Sequence, residues 1–89
     1  MEAAFKLGKL LATPGLMESI TPEEMAIAIG RHHNCDWGIM SIMDKKENEK
    51  ALKSGARLFS AYKTEDGIKF WIITEADRAS TTVLLPSEY

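Results

Sequence analysis

The stretch ARLFSAYKTEDGIKFWIITE, residues 56–75, decides the fold. ARLFSAY reads as a strand, and KTEDG holds an Asp66-Gly67 pair of the kind that closes a tight hairpin. In IKFWIITE, Phe70 to Ile73 are apolar on both parities, as in a strand covered on both faces, so the second limb of the hairpin is expected at the centre of a sheet. Downstream, Ala76 to Ser80 is a polar connection. TTVLLP, residues 81–86, is a third strand that Pro86 ends, because proline cannot donate to a ladder.

Upstream, the pattern changes to helical. Asp44-Lys45-Lys46-Glu47 has helix-start chemistry, Ala51 and Leu52 give that helix a thin buried face, and Gly55 is its natural stop. Thr21-Pro22 with Glu24 three residues on makes a capping box, and the acidic Glu23 and Glu24 suit the positive end of a helix dipole. Met25, Ala28, Ile29 and His32 then fall at i, i+3, i+4 and i+7, one apolar stripe with His32 on its last turn and His33 pointing elsewhere. Thr13-Pro14 is a similar helix start. Before it, FKLGKLLATP places Phe5, Leu7 and Leu11 on one parity and reads as a strand, with a helix as the alternative. The sum is one α+β domain over residues 1–89: an N-terminal strand, two or three helices, then a three-strand antiparallel meander, with the helices packed on one mainly antiparallel sheet.

Composition narrows the function. A chain of 89 residues, 45% hydrophobic, fills one modest core. A formal net charge of -2 lacks the footprint of a dedicated nucleic-acid binder, so nucleic acid is not an expected partner unless the basic residues cluster on one face. The single cysteine cannot form an internal disulfide, charges interrupt the short apolar stretch of the first fifteen residues, and no run is long enough to span a membrane. A soluble, cytoplasmic protein is expected, and no motif implies a cofactor.

Two polar constellations carry the available chemistry. RHHNCDWG, residues 31–38, packs His32, His33, Cys35 and Asp36 together, all of them types that ligate transition metals. Four ligands within five residues rarely converge on one ion, however, and a Cys-His nucleophilic pair is placed by the fold rather than by adjacency. The plainer reading is a helix-ending corner: His32 closes the apolar stripe, Asp36 caps backbone N–H groups, Trp37 plugs the core and Gly38 permits the turn. The second constellation, TEADR, sets Glu75, Asp77 and Arg78 at the end of the central strand, followed by Ser80, Thr81 and Thr82. Paired carboxylates can divide acid and base duties, and an arginine beside them can clamp a phosphate. The plainer reading is a solvated turn stitched by an arginine–carboxylate pair. Should the two regions meet, His32, Asp36, Glu75 and Arg78 would form a hydrolytic or nucleolytic centre.

Taken together, LGKLLATPGLMESI, GRHHNCDWG, DKKENEKALKSGARLFSAY and GIKFWIITEADRASTTVLLPSEY resemble a widespread family of small bacterial proteins that travel with plasmids and prophages. Its members often carry labels such as plasmid-related protein or type I restriction subunit. WIITEADR…TT…LLP…EY is the most specific part of the resemblance. Arg31, His32, Asp36, Trp37 and Gly38 match the family pattern, whereas Asn34-Cys35 stand where Ser-Gly or a similar pair is usual, which separates Cys35 from any family-wide role. The resemblance implies an intact domain of mobile-element origin and no particular activity. A restriction methyltransferase subunit needs a far larger cofactor domain than this chain.

The expected function is that of a non-enzymatic accessory protein of a mobile element that binds protein, with host defence machinery as one target. Ile39, Met40, Ile42 and Met43 in GIMSIMD form the expected contact stretch, since flexible methionines suit an adaptable surface. The alternative is a small hydrolase or a ribonuclease-like toxin built on His32, Asp36, Glu75 and Arg78. The layout matches small ribonuclease toxins, with Arg57, Lys63 and Lys69 on the hairpin and Tyr62 and Trp71 among them. Self-association by edge pairing of the first or last strand is a further expectation.

Overall fold

The computed structural model describes residues 3–89. Strand β1 (Lys9–Ala12) leads directly into helix α1 (Pro14–Ser19), followed by α2 (Pro22–His33) and α3 (Ile42–Ser54). Strands β2 (Leu58–Lys63), β3 (Lys69–Thr74) and β4 (Ser80–Leu84) come next, and a 3₁₀ turn at Pro86–Glu88 ends the chain. The strands form one sheet in the order β1-β4-β3-β2. The architecture is α+β, and β2, β3 and β4 form the expected antiparallel meander. The N-terminal strand departs from expectation in running parallel to β4, Leu10 beside Thr81 and Ala12 beside Val83. No helix among the described residues is long and apolar enough to cross a membrane.

Local chemistry explains most element ends, including the corrections. Thr21 and Glu24 make the capping box, each side chain accepting the other's backbone N–H, at 3.1 and 2.8 Å. Helix α3 starts three residues ahead of the expected site, because the Ser41 hydroxyl accepts the Asp44 N–H at 3.1 Å; Ile42 and Met43 thereby become its first turn. Thr13 does not cap α1. Its hydroxyl donates to Glu88, whose carboxylate takes the Gly15 N–H at 3.0 Å and so caps the helix from the far end of the chain. β1 is shorter than its sequence pattern and leaves Phe5 and Leu7 outside it. Gly8, at φ +66°, lies so close to the carbonyls of Arg78 and Ala79 that a Cβ would come within 2.4 Å of them. The hairpin turns through Glu65, Asp66 and Gly67, with Thr64 N–H bonded to Ile68 O and Gly67 N–H to Thr64 O, both at 3.0 Å, a residue longer than the tight form.

Alternation assigns the two faces of the sheet. Leu58, Ser60 and Tyr62 on β2, Phe70, Ile72 and Thr74 on β3, and Thr81 and Val83 on β4 share the inner face. One core cluster joins Tyr62, Phe70, Ile72 and Val83 to Leu16 and Ile20 of the α1 segment and Ala28 of α2. A second joins Leu58 to Phe5, Trp37 and Ala51 of α3. The outer face carries Phe59, Ala61 and Lys63 on β2 and Lys69, Trp71 and Ile73 on β3, followed by Thr82 and Leu84 on β4 and Lys9 and Leu11 on β1.

The last strand, β4, is interior, so the edges are β1 and β2, and β2 is already closed. Ala61 exchanges backbone bonds with Trp37 O (3.2 Å) and Ile39 N–H (2.7 Å), and the Asn48 amide bonds both Phe59 O (2.6 Å) and Phe59 N–H (3.0 Å). Gly38 makes that closure possible. At φ +77° it bridges to Ala61, and a Cβ there would sit 2.0 Å from the Ala61 carbonyl.

Candidate functional site

The eight residues RHHNCDWG end helix α2 in a defined way. Asn34 is the C-cap, and Cys35 follows in the left-handed conformation at φ +63°. Cys35 N–H bonds His32 O at 3.0 Å and Asp36 N–H bonds Arg31 O at 2.8 Å, the two bonds of a Schellman motif. Glycine normally fills the left-handed position. Cysteine there carries a steric cost, and burial pushes its thiol pKa up, aided by the charge of Glu49, so the group is not an activated nucleophile.

Beyond the cap, the candidate ligands diverge. The His33 ring is hydrogen-bonded through Nε2 to the Phe5 carbonyl at 3.1 Å, and Asp36 takes Arg31 in a two-point pair at 2.7 and 3.3 Å. The Arg31 hydrogen bond holds the Asp36 carboxyl below its usual range. Among the described residues, no three His, Cys, Asp or Glu side chains are placed to share a metal ion.

His32 is fully buried and heads a polar chain across the inner face. Thr81 donates its hydroxyl to Leu7 O at 2.7 Å. The Thr74–Thr81 contact at 2.7 Å is therefore a Thr74 donation, and Thr74 receives the Nε2–H of His32 at 2.8 Å. Nδ1 is left to accept the hydroxyl of Ser60. Every donor has one acceptor when the ring is neutral. Phe5 and Trp37 pack edge-on against the same ring at 5.4 and 5.6 Å. Burial drops the His32 pKa to about 4. A charged ring would need both nitrogens to donate, which the Ser60 arrangement opposes. Ser60, Thr74 and Thr81 are as buried as the histidine, so the cluster seals the seam between the two core clusters. Sequence spacing could find His32 on the stripe, but not its partners 28 and 42 positions away.

TEADR likewise divides. Glu75 pairs with Arg57 on the outer face at 3.4 Å, and Asp77 caps the turn by accepting Ala79 N–H at 2.9 Å. Arg78, left-handed at φ +59°, donates to Ala56 O (2.6 Å), Ala51 O (3.1 Å) and Glu75 O (3.1 Å). It ties the β3–β4 turn to the C-terminal end of α3, where it shares the Ala51 carbonyl with the Gly55 N–H. His32, Asp36, Glu75 and Arg78 are thus each held by different partners.

On the outer face Ile73 and Leu84 are buried, and Phe59 and Trp71 are half-buried. Phe59 meets Trp71 with ring centres 4.9 Å apart, and Tyr89 stands edge-on to Trp71 at 5.7 Å. Arg57 reaches the Tyr89 hydroxyl at 3.2 Å. Tyr62 does not join this group. It lies on the inner face, bonds Asp36 O at 2.6 Å, and burial pushes its pKa up to about 12. Of the expected contact stretch, Ile39, Ile42 and Met43 are exposed, whereas Met40 packs against the second core cluster. Sequence reasoning missed Asn48 and Glu88, whose roles are visible only across the fold.

No family model, curated protein or solved structure matches this chain.

Proposed function

We propose that this chain is a non-enzymatic binding domain that acts by contact with a protein, using the outer face of its sheet. The observation that carries the reading is the row Phe59–Trp71–Tyr89, rings in sequential contact with Arg57 at its end, on the face opposite the helix-packed core. Tryptophan, tyrosine and arginine are the residues that dominate protein contacts, and a half-buried apolar centre with a charged rim is their usual setting. The exposed Ile39, Ile42 and Met43 supply a second apolar patch at the start of α3.

The hydrolase or nuclease alternative needs His32, Asp36, Glu75 and Arg78 at one reacting centre, and their hydrogen bonds are spent elsewhere. The resemblance to proteins of plasmids and prophages rests on sequence pattern alone. It makes a mobile-element accessory role, with host defence machinery as the target, the proposed setting of the contact.

A photo-reactive residue replacing Tyr89 should crosslink one defined protein in cells that carry this chain. The purified pair should then lose about tenfold or more in affinity on Tyr89→Ala, an exposed position whose change leaves the core intact. Crosslinks confined to a control position such as Lys53, or an affinity indifferent to Tyr89→Ala, would overturn the reading.

A further inference from the structure

The register of the sheet sorts charge as well as apolar area. On the outer face the rows run Lys63 and Lys69; then Ala61, Trp71 and Leu84; then Phe59, Ile73, Thr82 and Leu11; then Ser80 and Lys9. Arg57 and Glu75, paired with each other, lie at the same end as this last row. An apolar band is therefore bounded by basic residues at both ends, about 20 Å apart at the rise of a strand. Lys9, Arg57, Lys63 and Lys69 stand on this face with Glu75, and Glu65 and Asp66 lie in the turn beyond Lys63 and Lys69, in a chain whose formal net charge is -2.

Lys63 and Lys69 are directly opposite each other across the hairpin. Like charges in that position destabilise a sheet. Among the described residues the ion pairs are Arg31–Asp36, Lys50–Glu47 and Arg57–Glu75, so neither lysine is held in one, although Glu65 and Asp66 lie in the turn between them. Departures from a local rule are expected at functional sites, and a lysine pair held in no ion pair is open to carboxylates of a partner.

From this we infer that the partner's docking segment is an acidic peptide with an apolar middle, its carboxylates meeting Lys63 and Lys69 at one end and Lys9 at the other while apolar side chains cover Trp71 and Tyr89. The inference rests on the proposed contact face and adds the chemistry of what covers it. A protein segment fits better than a nucleic-acid strand, because Phe59, Trp71 and Tyr89 pack on one another tilted and edge-on, not splayed to receive separate bases.

Amide NMR of the labelled 89-residue chain tests this with three probes at low salt. These are a peptide of about ten residues with acidic ends and an apolar middle, the same peptide with glutamine for every acid, and a deoxythymidine decamer. The acidic peptide is expected to shift the amides of Lys63, Lys69, Trp71 and Leu84, and to bind about tenfold more tightly than its glutamine counterpart. Lys69→Glu should remove about tenfold of that affinity while thermal unfolding shows the variant as stable as the parent or more so. That excludes misfolding as the cause.

Equal binding of the acidic and glutamine peptides at this face would overturn the charge inference and leave the aromatic contact standing. No shift from any probe would overturn the charge inference too, and the crosslink at position 89 decides the contact face separately. Tighter binding of the decamer than of the acidic peptide would replace the inference with single-strand nucleic-acid recognition.

Discussion

The two faces of this sheet treat polar groups in opposite ways. On the inner face His32, Ser60, Thr74, Thr81 and the Leu7 carbonyl form a closed chain in which each proton has one acceptor. On the outer face Lys63 and Lys69 face each other without an ion-pair partner among the described residues. Burial accounts for the contrast. An unmet donor in the interior costs the full desolvation of that group, so the inner chain must be complete, while water tolerates an unbalanced charge outside. The outer face is consequently where sequence can depart from the most stable choice at small cost.

The largest break should come from inside. His32→Ala leaves a cavity and strands the Ser60 hydroxyl, so urea unfolding should report a loss of about 4 kcal/mol. Trp37→Ala, next to that ring, belongs in the same range. Trp71→Ala, on the outer face and half-buried, should cost about 2 kcal/mol. Equal losses at Trp37 and Trp71 would erase the distinction between the faces.

Acid probes the same chain without mutation. His32 titrates near its usual pKa of about 6.5 in the unfolded chain and at about 4 in the folded one, so between these values the unfolded state binds the extra proton. Stability should be insensitive to this group above pH 6.5 and fall progressively toward pH 4, by about 3 kcal/mol in all. A His32→Gln variant should lack that component. A parent and variant with the same pH slope across this window would show that the histidine is not held neutral.

Smaller effects should have the opposite sign. Lys69→Glu converts a repulsive cross-strand pair into an attractive one, for a gain of about 1 kcal/mol at low salt that shrinks as salt is added. Cys35→Gly relieves the left-handed cap at the end of α2, offset by the loss of thiol packing against the second core cluster, for a net gain of about 0.5 kcal/mol in thermal unfolding. A loss in either case would mean that the local rule has been misapplied at that site.

Much of the architecture was legible because it is local. The capping box at Thr21, the Gly55 stop, the apolar stripe ending at His32 and the strand Phe70 to Ile73 all follow from neighbours within about one helical turn or one strand. The start of α3 was misread locally, Ser41 and not Asp44 supplying its cap, and other features were missed where a distant group took over a local task. Glu88 displaced Thr13 as the cap of α1 from 73 residues away, and Asn48 with the 37–39 segment closed the β2 edge. The helix-ending corner at residues 31–38 was legible, but the partners of its side chains were not, for the same reason. As their crowding led one to expect, His32, His33 and Asp36 do not converge, and the fold sends them to separate partners.

By itself the sequence determined the element types, the side of each strand and helix that is apolar, and the corner at residues 31–38, since periodicity and capping are set by chain geometry within a few residues. Only the tertiary structure decided that β1 runs parallel to β4, that the buried hydroxyls complete the histidine's hydrogen bonds, and that Lys63 and Lys69 stand opposite each other on the outer face. Those outcomes depend on which residues far apart in the chain come within hydrogen-bonding or Coulomb range, and a one-dimensional pattern fixes faces but not distances.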